Sequence, residues 1–235
     1  MNISQEHRMI WLAPERCATQ VTKKILSNYN FSFAIPSLQD DNPNFQEKRH
    51  FHSNIVDESY GDFQVILNIR NPYDLVFSFY VNKFSSKPVT KDSKNVKENF
   101  NKWVNNAFLN HGYYVFLCPL YNEKDFIFNK WNFNDDKKID FVLKVESLYD
   151  DIIKIPFIKD TSESIKEEIK YLIQNNGFFN KRYFKYNELY DFRSAQLVYH
   201  FFKPLFYKFG YSPYSFTQET LIDDDKIRFI HAQMD

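Results

Sequence analysis

Two side chains that can together hold a phosphate follow an apolar run in the amino-terminal half of the chain. Arg70 comes directly after residues 65–69, which read Val-Ile-Leu-Asn-Ile, and Ser78 follows Arg70 by eight positions. A guanidinium presents its N–H donors in a planar fork, and a hydroxyl adds a further hydrogen-bonding group. This pair suits the terminal oxygens of a phosphate monoester.

The elements expected around these residues place Arg70 at a ligand-binding edge. The apolar run 65–69 predicts a buried parallel strand, and its charged end predicts a position at the carboxyl edge of a sheet, where open α/β folds bind ligands. Asn71 and Pro72 predict a turn into an amphipathic helix, because proline fits the first helical turn. Ser78 then lies two turns along this helix, close to the guanidinium.

The sequence from Arg70 to Tyr80 resembles the 3′-phosphate-binding motif of sulfotransferases that use 3′-phosphoadenosine-5′-phosphosulfate (PAPS). In that family an arginine, and a serine eight positions later, grip the 3′-phosphate of the nucleotide. The pattern Arg-Asn-Pro-Tyr-Asp followed by Ser-Phe-Tyr is present here. The resemblance implies this role for Arg70 and Ser78. An ordinary strand, turn and helix with a surface arginine is the alternative interpretation.

A second anion-binding element is predicted near the amino terminus. Residues 9–14 indicate a strand, residues 15–20 a turn and residues 21–29 a helix. The amino-terminal end of a helix offers backbone N–H groups and a positive dipole end to an anion. The turn reads Pro-Glu-Arg-Cys-Ala-Thr at 14–19 and is similar to the 5′-phosphosulfate loop of sulfotransferases, in forms such as Pro-Lys-Cys-Gly-Thr-Thr.

This second resemblance implies a role for each loop residue. Arg16 takes the place of the family's lysine when one extra residue is allowed; a direct alignment puts Glu15 there, where its charge would repel the phosphosulfate. Thr19 supplies a hydroxyl to the 5′-phosphate, unless it only caps the helix. Ala18 replaces the family's loop glycine and tolerates positive φ poorly. The further residues implied to bind the donor are Cys17, Ala18, Gln20 and Val21.

Two histidines separated by one residue lie between these motifs. His50 and His52 would point to one face of a strand, because side chains alternate along it. Sulfuryl transfer to a hydroxyl needs a base, and the pKa of histidine suits that work near neutrality. The segment resembles the His-x-His region of carbohydrate 2-O-sulfotransferases, which implies His52 as the catalytic base and His50 as a supporting residue. Solvated histidines are the alternative.

The carboxy-terminal third carries one more implied contact and a long helix. Residues 178–185 mix cations with aromatic side chains. Sulfotransferases use a segment in this region to cover the adenine and touch the 3′-phosphate, which implies Lys181 and Arg182; a solvated loop is the alternative. Residues 188–210 predict a long amphipathic helix that ends at Gly210 and is kinked or divided at Pro204.

Composition limits the class of protein. The 235 residues have a net charge of zero, so attraction to nucleic acid or an anionic membrane surface is not expected. No membrane-spanning stretch or signal peptide is evident, which predicts a cytoplasmic protein. Alternating strand and helix signals predict an α/β fold in a single domain, residues 1–235. The resemblance makes this a three-layer α/β/α sandwich with a central parallel sheet, similar to P-loop nucleotide-binding proteins.

The motifs together predict an enzyme that moves a sulfuryl group from PAPS to a hydroxyl and releases 3′-phosphoadenosine-5′-phosphate (PAP). The His-x-His resemblance favours a carbohydrate acceptor, and no metal is expected, since no third ligand is evident near the histidines. A non-catalytic relative that binds a glycan or a protein is one alternative. The other is a small-molecule kinase, although the chain lacks the Gly-x-x-x-x-Gly-Lys-Ser/Thr loop of ATP-phosphate chemistry.

Overall fold

A computed structural model describes residues 2–14, 16–33, 62–84, 89–90, 93–109, 139–175 and 184–217. These residues form an α/β protein whose chain divides into two units. Met1–Arg70 and Tyr114–Lys181 make up the first, here called the sheet unit. Asn71–Tyr113 and Arg182–Asp235 make up the second, here called the helical unit.

The strands of the described residues all belong to the sheet unit. They are β1 (Asn2–Ser4), β2 (Met9–Leu12), β3 (Ser32–Phe33), β4 (Gln64–Ile69) and β5 (Phe141–Lys144). They form one sheet in the order β3-β1-β2-β4-β5. β4 runs parallel to both of its neighbours, with Ile66 opposite Trp11 on one side and Phe141 on the other. The predicted buried strand before Arg70 is therefore confirmed.

The sheet is mixed, whereas the sequence predicts a parallel one. β1 pairs antiparallel with β2 and with β3. Residues 5–8 join β1 to β2 in a turn, in which the Arg8 amide donates to the Gln5 carbonyl and Arg8 takes a φ of 51°. This turn lacks the glycine, proline and asparagine that usually mark a hairpin, so nothing in the sequence indicates β1.

The helices of the described residues are divided between the two units. In chain order they are α1 (Thr19–Leu26), α2 (Pro72–Phe79), α3 (Val96–Leu109), α4 (Leu148–Ile152), α5 (Pro156–Lys159), α6 (Glu163–Gln174) and α7 (Phe192–Phe209). A π-helical turn, Tyr80–Phe84, follows α2. α2, α3 and α7 belong to the helical unit and the others to the sheet unit. In the described part of the chain, no helix is long and apolar enough to cross a membrane.

The core of the sheet unit is largely aliphatic. α1 buries one face, formed by Val21, Thr22, Ile25 and Leu26, and leaves its lysines exposed. This face joins a cluster that covers the sheet and α4 to α6. The remaining members of the cluster are Met9, Trp11, Phe31, Ile66, Leu143, Leu148, Ile152, Ile155, Ile158 and Ile169. The cluster fixes α1 against β2 and β4, and so fixes both ends of the segment that joins β2 to α1.

The helical unit is built around α2, which begins where the sequence predicts. Pro72 is its first residue, and the Asn71 side chain caps it by accepting a hydrogen bond from the Tyr73 amide at 3.0 Å. α7 packs against both α2 and α3. The space between these helices is filled mainly by aromatic rings.

The last helix has the predicted kink and the predicted end. Phe202 leaves helical geometry, with φ −102° and ψ 15°, two residues before Pro204. Gly210 ends the helix in the left-handed conformation, with φ 66°. The predicted start at residue 188 is too early. Asp191 caps α7 by accepting a hydrogen bond from the Ser194 amide at 2.7 Å, and this sets the first turn.

Candidate functional site

Two neighbouring parallel strands of the sheet unit end at the same edge. β2 ends at Leu12 and leads into α1 through residues 13–18, here called the β2–α1 loop; β4 ends at Ile69 and is followed by Arg70. Leu12 pairs with Leu67, so the two strand ends lie side by side. The sequence-predicted phosphosulfate loop and Arg70 therefore meet at the carboxyl edge, where α/β sheets bind ligands.

Arg70 bonds to the β2–α1 loop directly. Its Nη1 donates to the carbonyl oxygen of Arg16 at 2.9 Å, and the residue is only 8% exposed. A guanidinium carries five N–H donors in a fixed plane, so one bond to the backbone also orients the others. The structure thus brings together two residues that the sequence assigns to separate motifs.

Asn68 is the residue of this site that the sequence analysis missed. It lies within β4 and is fully buried. Its Nδ2 donates to the Cys17 carbonyl at 2.8 Å and to Thr22 Oγ1 at 2.9 Å, and its Oδ1 accepts from Trp11 Nε1 at 2.7 Å. One side chain therefore ties β4 to β2, to the loop and to α1. The signal was an asparagine inside an apolar strand, where a polar side chain must find partners.

The β2–α1 loop, described except for Glu15, contains two left-handed residues. Arg16 has a φ of 67° and Ala18 a φ of 58°. This conformation costs a non-glycine residue about 1–2 kcal/mol. Ala18 adopts it although the sequence analysis expected it to do so poorly. The bonds from Arg70 and Asn68 to the carbonyls of the loop hold the backbone in this form, in which left-handed residues can turn N–H groups toward an anion.

Thr19 closes the loop in this structure. Its hydroxyl donates to the Pro14 carbonyl at 2.9 Å, and the Cys17 amide donates to the same carbonyl at 3.3 Å. Thr19 is the first residue of α1 and not its cap; the capping position is held by Ala18, whose side chain cannot accept a hydrogen bond. The first-turn N–H groups of a helix have no partner within the helix, so this end of α1 is suited to an anion.

The other residues that the sequence assigns to donor binding differ in their surroundings. The thiol of Cys17 and the side chain of Val21 are buried in the sheet unit. An anion could meet these two residues only through their backbone. Gln20 is exposed in the first turn of α1, where its side chain is accessible. At Cys17 and Val21 this segment therefore offers backbone amides, rather than side chains, to a phosphate.

The other predicted site residues lie in the helical unit or outside the described residues. Ser78 lies on α2 in the helical unit, where it is buried and its carbonyl accepts a hydrogen bond from Asn82 Nδ2 at 2.7 Å. Its role beside Arg70 stays a prediction from the sequence. The predicted residues His50, His52, Lys181 and Arg182 lie outside the described residues. Within the described ranges, no cluster of three or more His, Cys, Asp or Glu side chains could hold a metal ion.

The site therefore consists of a buried arginine, a buried asparagine, a loop with two left-handed residues and the amino terminus of α1. All four lie at the carboxyl ends of β2 and β4, in the sheet unit. No protein-family model matches the chain, and neither the curated proteins nor the solved structures contain a match to it.

Proposed function

We propose that this chain is a PAPS-dependent sulfotransferase with a hydroxyl acceptor, a carbohydrate being the favoured one. The observation that carries the proposal is the 2.9 Å hydrogen bond from Arg70 to the carbonyl of Arg16. The sequence resemblance assigns Arg70 to the 3′-phosphate of a nucleotide and Arg16 to its 5′-phosphosulfate. A donor with an anionic group at each of these positions suits a site in which both residues meet.

The proposal extends to the fold. The phosphosulfate loop follows β2, and the arginine for the 3′-phosphate follows the adjacent parallel strand β4. This order is the one expected of the three-layer α/β/α sulfotransferase sandwich, in which the donor lies across the carboxyl edge of the sheet. The antiparallel strands β1 and β3 extend the sheet beyond β2 and leave the edge formed by β2 and β4 unchanged.

The proposed chemistry is an in-line transfer. The acceptor oxygen attacks the sulfur, the bond between sulfur and the 5′-phosphate oxygen breaks, and PAP leaves with the bonding electrons. Negative charge therefore grows on the 5′-phosphate. The Ala18 amide and the amino end of α1 would stabilise that charge electrostatically, and Arg16 would add a positive charge. Residues that act on the leaving group in this way accelerate the transfer more than they strengthen ground-state binding.

The acceptor proton needs a base, and the sequence resemblance gives this role to His52 with His50 in support. Lys181 and Arg182 keep their implied contact with the 3′-phosphate. These four assignments come from the sequence motifs alone.

A transfer assay tests the proposed function. The protein is incubated with radiolabelled PAPS, a chelator and a panel of saccharides, phenols and lipid alcohols, and the sulfated product and PAP are quantified. We expect stoichiometric PAP and sulfated product, with a saccharide as the best acceptor. His52→Ala should abolish turnover and leave PAP binding intact, because it removes the base only.

Two results would contradict the proposal. Bound PAP without transfer to any acceptor on the panel would identify a non-catalytic relative that uses the same site for recognition. Phosphoryl transfer from ATP that requires magnesium, with no use of PAPS, would identify a small-molecule kinase.

A further inference from the structure

We propose that Asn68 is the positioning residue of the β2–α1 loop: by holding the Cys17 carbonyl, it directs the Ala18 amide toward the 5′-phosphate of the donor. The identity of the ligand rests on the proposed function, whereas the hold on the loop rests on the hydrogen bonds of Asn68. Asn68 acts through the backbone of Cys17 and is not assigned any contact with the donor.

The first step of the argument is the direction of one peptide unit. The peptide between Cys17 and Ala18 is trans, so its C=O and its N–H point in opposite directions. The carbonyl points at Asn68, inside β4, with a distance of 2.8 Å to Nδ2. The N–H of Ala18 therefore points away from β4. Release of the carbonyl would free this peptide unit to rotate.

The second step is that the amide of Asn68 has only one possible orientation. The indole N–H of Trp11 is a donor only, so the atom of Asn68 that it meets at 2.7 Å must be the oxygen. The NH₂ group must then face the loop and α1. Its two N–H donors are both used, one by the Cys17 carbonyl and one by Thr22 Oγ1.

The third step is that the loop conformation requires hydrogen bonds from its surroundings. Arg16 and Ala18 have left-handed backbone on either side of Cys17, a conformation that non-glycine residues avoid unless the surroundings impose it. Asn68 is fully buried, so water cannot replace a lost hydrogen bond at this position without a local opening. The loop conformation and the bonds of Asn68 therefore depend on each other.

The helical unit offers a matched control. Asn101 is also buried, and its side chain also makes three hydrogen bonds: to the carbonyls of Lys97 and Leu189, and from the Asp191 amide. Asn101→Ala removes a comparable buried amide from a different unit. It should lower stability without acting on the β2–α1 loop.

The binding experiment compares two ligands, PAP and adenosine 3′-monophosphate, which lacks the 5′-phosphate. Asn68→Ala should weaken PAP binding about tenfold and leave the affinity for adenosine 3′-monophosphate within about twofold, because only the 5′-phosphate meets the loop. Asn101→Ala should leave both affinities unchanged. An equal loss of both affinities in Asn68→Ala, or no loss of either, would overturn the proposal.

Hydrogen exchange of the ligand-free protein separates this proposal from the proposed function. The Cys17 amide, bonded to Pro14, and the Thr22 amide, bonded to Ala18, report whether the loop is closed. Both should exchange faster in Asn68→Ala than in the wild type and in Asn101→Ala. If the wild type binds no PAP, the proposed function is wrong. Faster exchange in Asn68→Ala would then still show that Asn68 fixes the loop conformation, whereas unchanged exchange would overturn the positioning role of Asn68.

A second pair of variants covers the case in which Asn68→Ala does not fold. Thr22→Val removes the hydroxyl that accepts from Asn68 and nearly preserves the side-chain shape, whereas Thr22→Ser keeps the hydroxyl. Thr22→Val should accelerate exchange of the Cys17 amide and weaken PAP binding, and Thr22→Ser should restore both to near the wild-type values. Identical behaviour of the two variants would overturn the proposal.

Discussion

The two units of this chain use their buried polar groups for different purposes. In the sheet unit, whose core cluster is largely aliphatic, the three bonds of Asn68 join β4 to β2, to the β2–α1 loop and to α1 at the carboxyl edge of the sheet. In the helical unit aromatic rings fill the core, and buried hydroxyls bond to the chain itself: Tyr73 donates to the Pro213 carbonyl at 2.7 Å and Tyr190 to the Tyr73 carbonyl at 2.9 Å.

The comparison indicates which side chains fix the backbone position in each unit. An aliphatic core is not directional, so the position of the β2–α1 loop depends on a few polar side chains placed within it. An aromatic core has preferred ring geometries and carries hydroxyls of its own. In the helical unit the Tyr73 hydroxyl holds the chain after α7 against the first turn of α2, and the Tyr190 hydroxyl holds the chain before α7 against the same turn.

The largest expected effect is the loss of a ring from the aromatic core. Phe100 is fully buried, and its ring centroid lies within 5.5 Å of those of Phe77, Tyr80 and Tyr190. Phe100→Ala should lower the free energy of unfolding by about 3–5 kcal/mol, measured by urea titration. In the aliphatic core, Ile152→Val should cost only about 0.5–1.5 kcal/mol. A cost for Phe100→Ala no larger than that of Ile152→Val would show that the Phe100 ring is not packed in the aromatic core as described.

The second prediction concerns alkaline pH. Burial raises the pKa of Tyr73 and of Tyr190 well above the ordinary tyrosine value. Below about pH 10 both tyrosines are protonated in the folded and unfolded states, so they give stability no pH dependence there. Above it only the unfolded state ionises, and stability should fall with rising pH by up to about 1.4 kcal/mol per pH unit for each tyrosine.

Urea titrations at a series of pH values above about pH 10 would measure how steeply the free energy of unfolding decreases. Tyr190→Phe removes one ionising group and should make the fall shallower, although it also removes the bond to the Tyr73 carbonyl. If the free energy of unfolding decreased as steeply with pH in Tyr190→Phe as in the wild type, the buried tyrosines would not be the cause of the decrease.

The third prediction compares the starts of two helices. The Asn71 side chain caps α2 and also donates to Ser215 Oγ at 2.8 Å, whereas α1 begins after Ala18 without a side-chain cap. Asn71→Ala should cost about 1 kcal/mol in thermal or urea unfolding. Asn71→Asp keeps the accepting oxygen and should recover most of this loss. If the aspartate variant were as unstable as the alanine variant, the cap would not be the source of the stability.

The smallest effect is expected at the left-handed residues. Ala18→Gly relieves the backbone strain of the loop but also increases the entropy of the unfolded chain, so it should stabilise the protein by only about 0.5 kcal/mol. Gly210 is the matched position in the helical unit, with φ 66° and open space around its Cβ direction. Gly210→Ala should destabilise by about 1 kcal/mol. A destabilising Ala18→Gly would mean that Ala18 is not held in a strained conformation.

Much of the fold near the site could be predicted from the sequence because its signals are local. The apolar run 65–69, the charged residue after it and Pro72 define β4, its end and the start of α2, and all three are confirmed. Gly210 and Pro204 likewise mark the end and the kink of α7. β1 could not be predicted, because its turn relies on Arg8 in a conformation that the residue type disfavours.

The site was harder to predict because its decisive contacts are not local. Arg70 and the β2–α1 loop were found from their motifs, but the bond between them joins residues 54 positions apart. Asn68 was counted as one more residue of an apolar strand, and its partners lie 46 to 57 positions away. The left-handed φ values of Arg16 and Ala18 follow from those contacts and not from the residue types.

The most direct test of the account is a calorimetric titration of the wild type with PAP, with ADP and 5′-AMP as controls and without magnesium. Arg70→Ala is titrated beside it, and Arg193→Ala, which removes an exposed arginine of the helical unit, serves as the charge control. We expect micromolar binding of PAP, much weaker binding of the controls, and a loss of about tenfold or more only in Arg70→Ala. Equal binding of PAP and 5′-AMP, or unchanged PAP affinity in Arg70→Ala, would contradict the account.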